Sequence, residues 1–213
     1  MDFSLFAELA INGAISGLMY SLVAMGIVLI YKSSSVPNLA QGAMTMLGAY
    51  VVMAIANGLG VSMWAAIPLA MGTMFFVGMG IERVALRRLA GRPIVMILMM
   101  TLGLDIFIRA TTLAVWGASY RPLSVGIGDE PLFLGPLLLN RTYVVGAMVA
   151  VALFLVFMFF FRTRKGIVLR AISDDYIASW SIGISVERGV AFSWAMSSVL
   201  ATKIGRASCR ERV

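Results

Sequence analysis

The 213-residue chain has no histidine, a single cysteine at position 209 and only 13% charged residues. Without an imidazole there is no serine–histidine or cysteine–histidine catalytic pair, and no Cys/His metal site can be assembled. One cysteine allows no internal disulfide. The chain contains no GxxxxGK[ST] phosphate loop, so ATP-driven work at this protein would depend on another subunit. The start, MDFSLFAELAING, lacks the basic residues of a signal peptide and instead carries Asp2 and Glu8. The first apolar span is therefore expected to be retained.

Scarce charge is matched by abundant apolar surface, with 61% hydrophobic residues and a mean hydropathy of +0.95. A soluble domain cannot be covered by so few polar side chains. Apolar segments at Glu8–Ile30, Leu39–Asn57, Ser62–Ile81, Ile94–Gly117, Tyr143–Phe161 and Gly189–Thr202 follow one another with short polar breaks. Crossing a hydrocarbon layer of about 30 Å takes about 20 residues of helix. The fold class expected is all-α: a polytopic transmembrane bundle of about six spans, the last incomplete. Gly13-x-x-x-Gly17 is expected to let a neighbouring helix approach the first span closely.

Alternating the spans places Lys32, Arg83, Arg87, Arg88, Arg92, Arg162, Arg164, Lys165, Arg170 and Arg188 on one side. The other side receives only Arg121 and Arg141. Basic residues mark cytoplasmic loops, so the N-terminus is expected outside and the loop 162–188 inside. Arg206, Arg210 and Arg212 sit in a final segment, Lys203–Val213, that breaks the last apolar run. Its back-translation resembles a common sequencing adapter, so residues 1–202 are expected to be an incomplete transmembrane domain and 203–213 a non-native tail; the competing reading is a genuine basic tail that binds lipid headgroups. Removing four basic residues and one acid with it lowers the net charge from +7 to +4. The basic balance is thus no argument for nucleic acid.

Three places carry chemistry. The stretch YKSSSVPNLAQGAMTMLGAY, Tyr31–Tyr50, stops an apolar run at Lys32, breaks at Pro37-Asn38 and resumes at Gln41-Gly42. Irregular backbone at membrane depth is tolerated only inside protein or beside a watery cavity, so Asn38, Gln41 and Gly42 are candidates to line or hinge a path. The competing reading is a helix cap and a packing contact. With Lys32 at the inner face, the break is expected near the cytoplasmic entrance of the second span. Asp105 and Arg109 lie four residues apart within the fourth span, on one helical face. Charges at that depth point to a translocation path or to a structural salt bridge. In the loop FRTRKGIVLRAISDDYIASWSIGISVERGV, apolar Ile172, Tyr176, Ile177, Trp180 and Ile184 recur near helical spacing. One short amphipathic helix is expected there, either lying on the inner leaflet or docking a cytosolic partner through Arg170, Tyr176 and Trp180.

Three collinear blocks covering the chain to Thr202 resemble the permease subunits of branched-chain amino acid ABC importers. They are AINGAISGLMYSLVAMGIVLIYKSSSVPNLAQGAMTMLGAYV, RPIVMILMMTLGLDIFIRATTLAVWGA and FRTRKGIVLRAISDDYIASWSIGISVERGVAFSWAMSSVLAT. The resemblance implies a multi-pass protein of the bacterial inner membrane, in contact with lipid and not itself an enzyme. It implies pairing with a second, homologous permease subunit, two cytosolic ATPase subunits carrying ATP and magnesium, and an extracytoplasmic substrate-binding protein. It implies no cofactor on this chain, and a coupling segment on the ATPase formed by Arg170, Ala171, Ile172, Asp174, Asp175, Ala178, Trp180, Gly183 and Ile184. Relatives commonly have phenylalanine and then alanine-histidine-glycine after the asparagine, where this chain has Leu39-Ala40-Gln41-Gly42. Gln41 keeps hydrogen bonding but cannot titrate. Relatives also continue through further spans beyond the position of Thr202. Substrates implied are leucine, isoleucine and valine, or urea and short amides. Readings from other classes are an ATPase-independent secondary transporter or channel using Asp105 and Arg109, and a noncatalytic membrane scaffold.

Overall fold

The computed structural model describes residues 3–89, 92–117, 131–134 and 137–208. Eight helices occur among them: α1 (Phe3–Ser34), α2 (Gln41–Leu59), α3 (Met63–Ile81), α4 (Ile94–Trp116), α5 (Arg141–Phe160), α6 (Arg164–Asp174), α7 (Tyr176–Ser181) and α8 (Val186–Ser208). A short antiparallel hairpin, β1 (Pro131–Leu134) with β2 (Leu137–Asn140), precedes α5 and pairs Pro131 with Asn140. The all-α bundle expected from the sequence is present, and the hairpin is its one addition among the described residues.

Among the described residues, four stretches are long and apolar enough to cross a membrane: Leu9–Ser34, Gln41–Leu59, Ala65–Leu89 and Ile94–Trp116. The fifth and sixth apolar segments of the sequence correspond to α5, whose apolar helical part runs Ala147–Phe160, and to α8. The third span carries Pro68 inside its helix. Such a break in the hydrogen-bond ladder is tolerated where neighbouring helices resatisfy the backbone. Past Ile81 the helix widens into a π-helical turn, Glu82–Leu86, and then tightens into Arg87–Leu89. The Arg87 amide reaches the Glu82 carbonyl five residues back.

Helix α8 is the hub. It packs on α1, α2 and α3, and small residues set how closely they approach. A Cβ on Gly48 of α2 would lie 2.7 Å from the Thr202 Cα, and one on Gly78 of α3 would lie 2.7 Å from the Trp194 carbonyl oxygen. With no hydrophobic drive between helices in lipid, such close backbone contact is what holds a membrane bundle together. Around it a core of Ile30, Ala43, Met44, Ile108, Trp194 and Ala201 is closed to solvent.

These pairings fix the relative direction of the helices. Gly48 with Thr202 and Gln41 with Ser197 make α2 and α8 parallel. Gly78 with Ser198, and Arg87 with Glu187, make α3 antiparallel to α8. Leu22 clusters with Ala150 and Leu29 with Phe157, so α5 runs with α1. Tyr50 against Trp116 and Gly42 against Arg109 make α4 parallel to α2. Successive spans therefore alternate in direction, as the charge pattern requires. Lys32 and Arg170 converge on the Phe161 ring at one end of the bundle, at 5.6 and 5.8 Å from its centroid.

Two local expectations change. Gly13 and Gly17 are exposed, and a Cβ on either would meet nothing within 4 Å. The glycine pair is not used against another helix among the described residues, because α1 packs on α5 through a later stripe containing Leu22 and Leu29. The single amphipathic helix expected across Ile172–Ile184 is two helices, α6 and α7. Asp175 between them is extended, at φ −148° and ψ 106°, and its Oδ1 accepts from the Ala178 amide at 2.9 Å. An aspartate that caps the next helix ends the previous one.

Candidate functional site

The junction between α1 and α2 is built by short polar side chains that bond their own backbone. Ser33 and Ser34 donate to the Ile30 carbonyl at 2.9 Å, closing the end of α1. Ser35 then turns the chain at φ 55°. Asn38 Oδ1 accepts from the Ala40 amide at 3.0 Å, an Asx turn that starts α2. Asn38 and Gln41 are buried, at 0% and 1% exposure.

Gln41 ties three helices together. Ser197 Oγ of α8 lies 2.8 Å from Gln41 Oε1 and 3.0 Å from the Gly26 carbonyl of α1, and Gln41 Nε2 donates to the Ser197 carbonyl at 3.4 Å. A side chain at Gly26 would bring its Cβ to 2.3 Å from Gln41 Nε2, so the bare backbone of α1 makes room for the amide. Asn38 Nδ2 adds contacts to Gln41 Oε1 and Met44 Sδ, both at 3.4 Å. In this arrangement the two amides shape the junction of α1, α2 and α8, and they face no open space.

The next residue turns the other way. Gly42 is exposed, and a Cβ there would stand 3.4 Å from Arg109 Nη2. Arg109 Nε donates to Asp105 Oδ2 at 2.7 Å and Nη2 to Oδ1 at 3.1 Å, a bidentate pair one helical turn long. The Arg109 side chain is 50% exposed and that of Asp105 20%. Of the five path candidates, Gly42, Asp105 and Arg109 come together on an open face of α2 and α4, while Asn38 and Gln41 lie behind them.

The level of this cluster differs from the sequence expectation. Arg109 is fifteen residues past Ile94, about 22 Å along α4 at 1.5 Å per residue. Because Gly42 lies beside it, α2 begins level with the later half of α4, well inside the bundle. The physical reason is the length of α1, which runs on past Gly26 to Ser34 before the chain returns to the level of Gly26 at Gln41. A helix start at this depth leaves backbone amides to be satisfied by protein or water.

At the basic end, α6 and α7 form a folded platform. Ile172 is buried at 2% exposure against Gly189 of α8. Ser179 Oγ donates to the Ala171 carbonyl at 2.9 Å, joining α7 to α6. Tyr176 begins α7, Gly183 (φ 84°) follows it, and the Ile184 amide donates to the Ser179 carbonyl. Arg170, Asp174, Asp175 and Ala178 are exposed. Trp180 at 72% and Ile182 at 74% leave large apolar surface uncovered.

Sequence reasoning missed Ser197 and Glu82. Ser193 with Ser197, and Ser198 with Thr202, each four residues apart, form a buried polar stripe on α8. That spacing inside an apolar run was the available signal. Glu82 is buried at 5% exposure where the third span turns into its π-helical turn. The expectations on Arg121 and on Cys209 to Val213 fall outside the described residues, while Lys203–Ser208 continue α8.

No group of three or more potential metal-ligating His, Cys, Asp or Glu residues occurs among the described residues. What remains is a polytopic bundle, an ion pair at depth on an open face and an apolar platform at the basic end. Against known proteins, residues 9–206 match the family described as the permease component of the branched-chain amino acid transport system. The chain is 30% identical over 198 residues to the probable branched-chain amino acid transport permease protein LivH of Methanocaldococcus jannaschii, covering 86% of this chain and 60% of that one. It is 25% identical over 229 residues to the high-affinity permease protein LivH of Salmonella typhimurium, covering 96% and 70%. Against the high-affinity permease protein BraD of Pseudomonas aeruginosa, it is 24% identical over 210 residues, covering 92% and 68%. The chain thus spans about two thirds of the length of these relatives. No solved structure matches it. With a match that runs almost from end to end over helices of membrane-crossing length, the chain belongs to the family of branched-chain amino acid transport permease components and is a multi-pass membrane protein.

Proposed function

We propose that this chain is the permease subunit of an ATP-driven importer in the bacterial inner membrane, moving branched-chain amino acids. It works with a second permease, two cytosolic ATPase subunits that hold ATP and magnesium, and an extracytoplasmic binding protein that delivers the solute. The observation that carries the reading is the family match over residues 9–206. The platform of α6 and α7 supports it, because it is folded onto α8 and exposes Trp180 and Ile182 at the end where the basic residues gather.

The chain itself hydrolyses nothing. Its part is to present α6 and α7 to the ATPase and to pass their displacement to α8 through Ile172 on Gly189, while Arg87 with Glu187 links the end of the third span to the same helix. Helix α8 touches α1, α2 and α3 together, so movement at its base reaches the Gln41 junction and the face holding Gly42, Asp105 and Arg109. Interfaces built on close backbone contact move as rigid bodies between discrete packings. A path that opens alternately to the two sides follows.

Copurification tests the coupling. Trp180→Ala combined with Ile182→Asp is expected to abolish recovery of the ATPase with the permease, while the permease still reaches the membrane. Undiminished recovery would place the ATPase contact elsewhere.

A further inference from the structure

Resting on that reading, we infer that Asp105 and Arg109 contact the substrate itself, and that they select a zwitterionic α-amino acid over a neutral solute such as urea or an amide. Arg109 takes the carboxylate, and Asp105 attracts the ammonium.

The geometry is specific. Asp105 occupies Nε and Nη2 of Arg109 and leaves Nη1 without a hydrogen-bond partner among the described residues. The guanidinium is half exposed and the carboxylate partly so, on a helix whose outward neighbours Leu102, Ile106 and Phe107 are exposed and apolar. A charged pair left against lipid tails at this depth is costly, so whatever covers it brings polar groups. Two opposite charges four residues apart on one helix present a fixed dipole. A ligand with its own carboxylate and ammonium on one carbon complements both ends, whereas a neutral amide complements neither charge. Arginine suits the role because its planar fork can hold one carboxylate and still offer a further donor edge to a second.

Gly42 supplies the space. Any side chain there would begin 3.4 Å from Arg109 Nη2 and narrow the approach. Leu102, one turn before Asp105 and 43% exposed, offers apolar surface for an aliphatic side chain. The amide junction behind Gly42 sets the position of α2, and with it the spacing between Gly42 and Arg109.

The test is ATP-driven uptake of radiolabelled leucine by the complete transporter in proteoliposomes, with binding protein at saturation. Arg109→Gln is expected to lower uptake tenfold or more, with both permeases and the ATPase still copurifying. The decisive variant is the exchange Asp105→Arg with Arg109→Asp, which keeps an intrahelical ion pair but reverses the dipole. Uptake that stays low in the exchange supports substrate contact. Uptake restored by the exchange shows the pair to be purely structural and overturns the inference. Loss of the second permease from the Arg109→Gln complex also overturns it, by assigning the pair to the subunit interface. If the unmodified complex takes up no amino acid, the importer reading beneath it falls as well.

Discussion

Gln41 on α2 and Ser197 on α8 meet through a buried hydrogen bond of 2.8 Å across 156 residues of sequence, and the same serine hydroxyl lies 3.0 Å from the Gly26 carbonyl of α1. Three helices are therefore registered by one amide and one hydroxyl. The platform rests on α8 through Ile172 and Gly189, and the charged face of α2 and α4 is reached from α8 through the Gln41 junction.

Disturbing the junction is expected to destabilise the bundle. Ser197→Ala leaves the buried amide of Gln41 short of a partner, a cost of about 1–3 kcal/mol. Gly26→Ala is expected to cost at least as much, because its Cβ would lie 2.3 Å from Gln41 Nε2. Thermal unfolding in detergent measures both, and unchanged melting temperatures would show that the amide is not the tie.

Trp194 separates packing from hydrogen bonding. Its ring is 1% exposed in the core, and its Nε1 has no hydrogen-bond partner among the described residues. Trp194→Phe removes the unpaired donor while keeping most of the aromatic volume, and is expected to cost clearly less than truncation to alanine. Trp194→Ala opens a cavity and is expected to cost about 3–5 kcal/mol. Equal losses for the two variants would point to a needed N–H group.

The ion pair of Arg87 with Glu187 is expected to matter little for stability. Its side chains are 43% and 58% exposed, and solvent screens such pairs to about 0–1 kcal/mol. Glu187→Gln should therefore leave the melting temperature nearly unchanged. A large fall would mean that the pair is covered in the assembled protein.

Asp175 is expected to control the shape of the platform. Asp175→Ala removes the cap on the Ala178 amide, costs about 1 kcal/mol locally and favours one continuous helix through α6 and α7. Such a helix would turn Trp180 to a new direction, so weaker ATPase recovery is the expected readout. Unaltered recovery would show that the break is not needed for docking.

Much of the architecture was legible because its signals are local. Apolar length marks the spans, basic residues mark one end, and the i to i+4 spacing of Asp105 and Arg109 places them on one face. The level of the α2 start was not legible, because it depends on how far α1 overshoots before returning, and hydropathy reads Tyr31–Tyr50 only as a break. Gln41 drew notice as a polar residue in an apolar run, yet its partner lay 156 residues away on α8. The break at Asp175 was hidden for a different reason: periodicity counted the apolar residues on both sides and overlooked a capping aspartate between them.

The most direct test of the account is leucine uptake by proteoliposomes holding this chain in the complete transporter, compared with the chain alone. ATP-dependent accumulation that requires the ATPase, the binding protein and an intact Trp180 is the predicted result. Accumulation by the chain alone, driven by a proton gradient or membrane potential and indifferent to ATP, would contradict it.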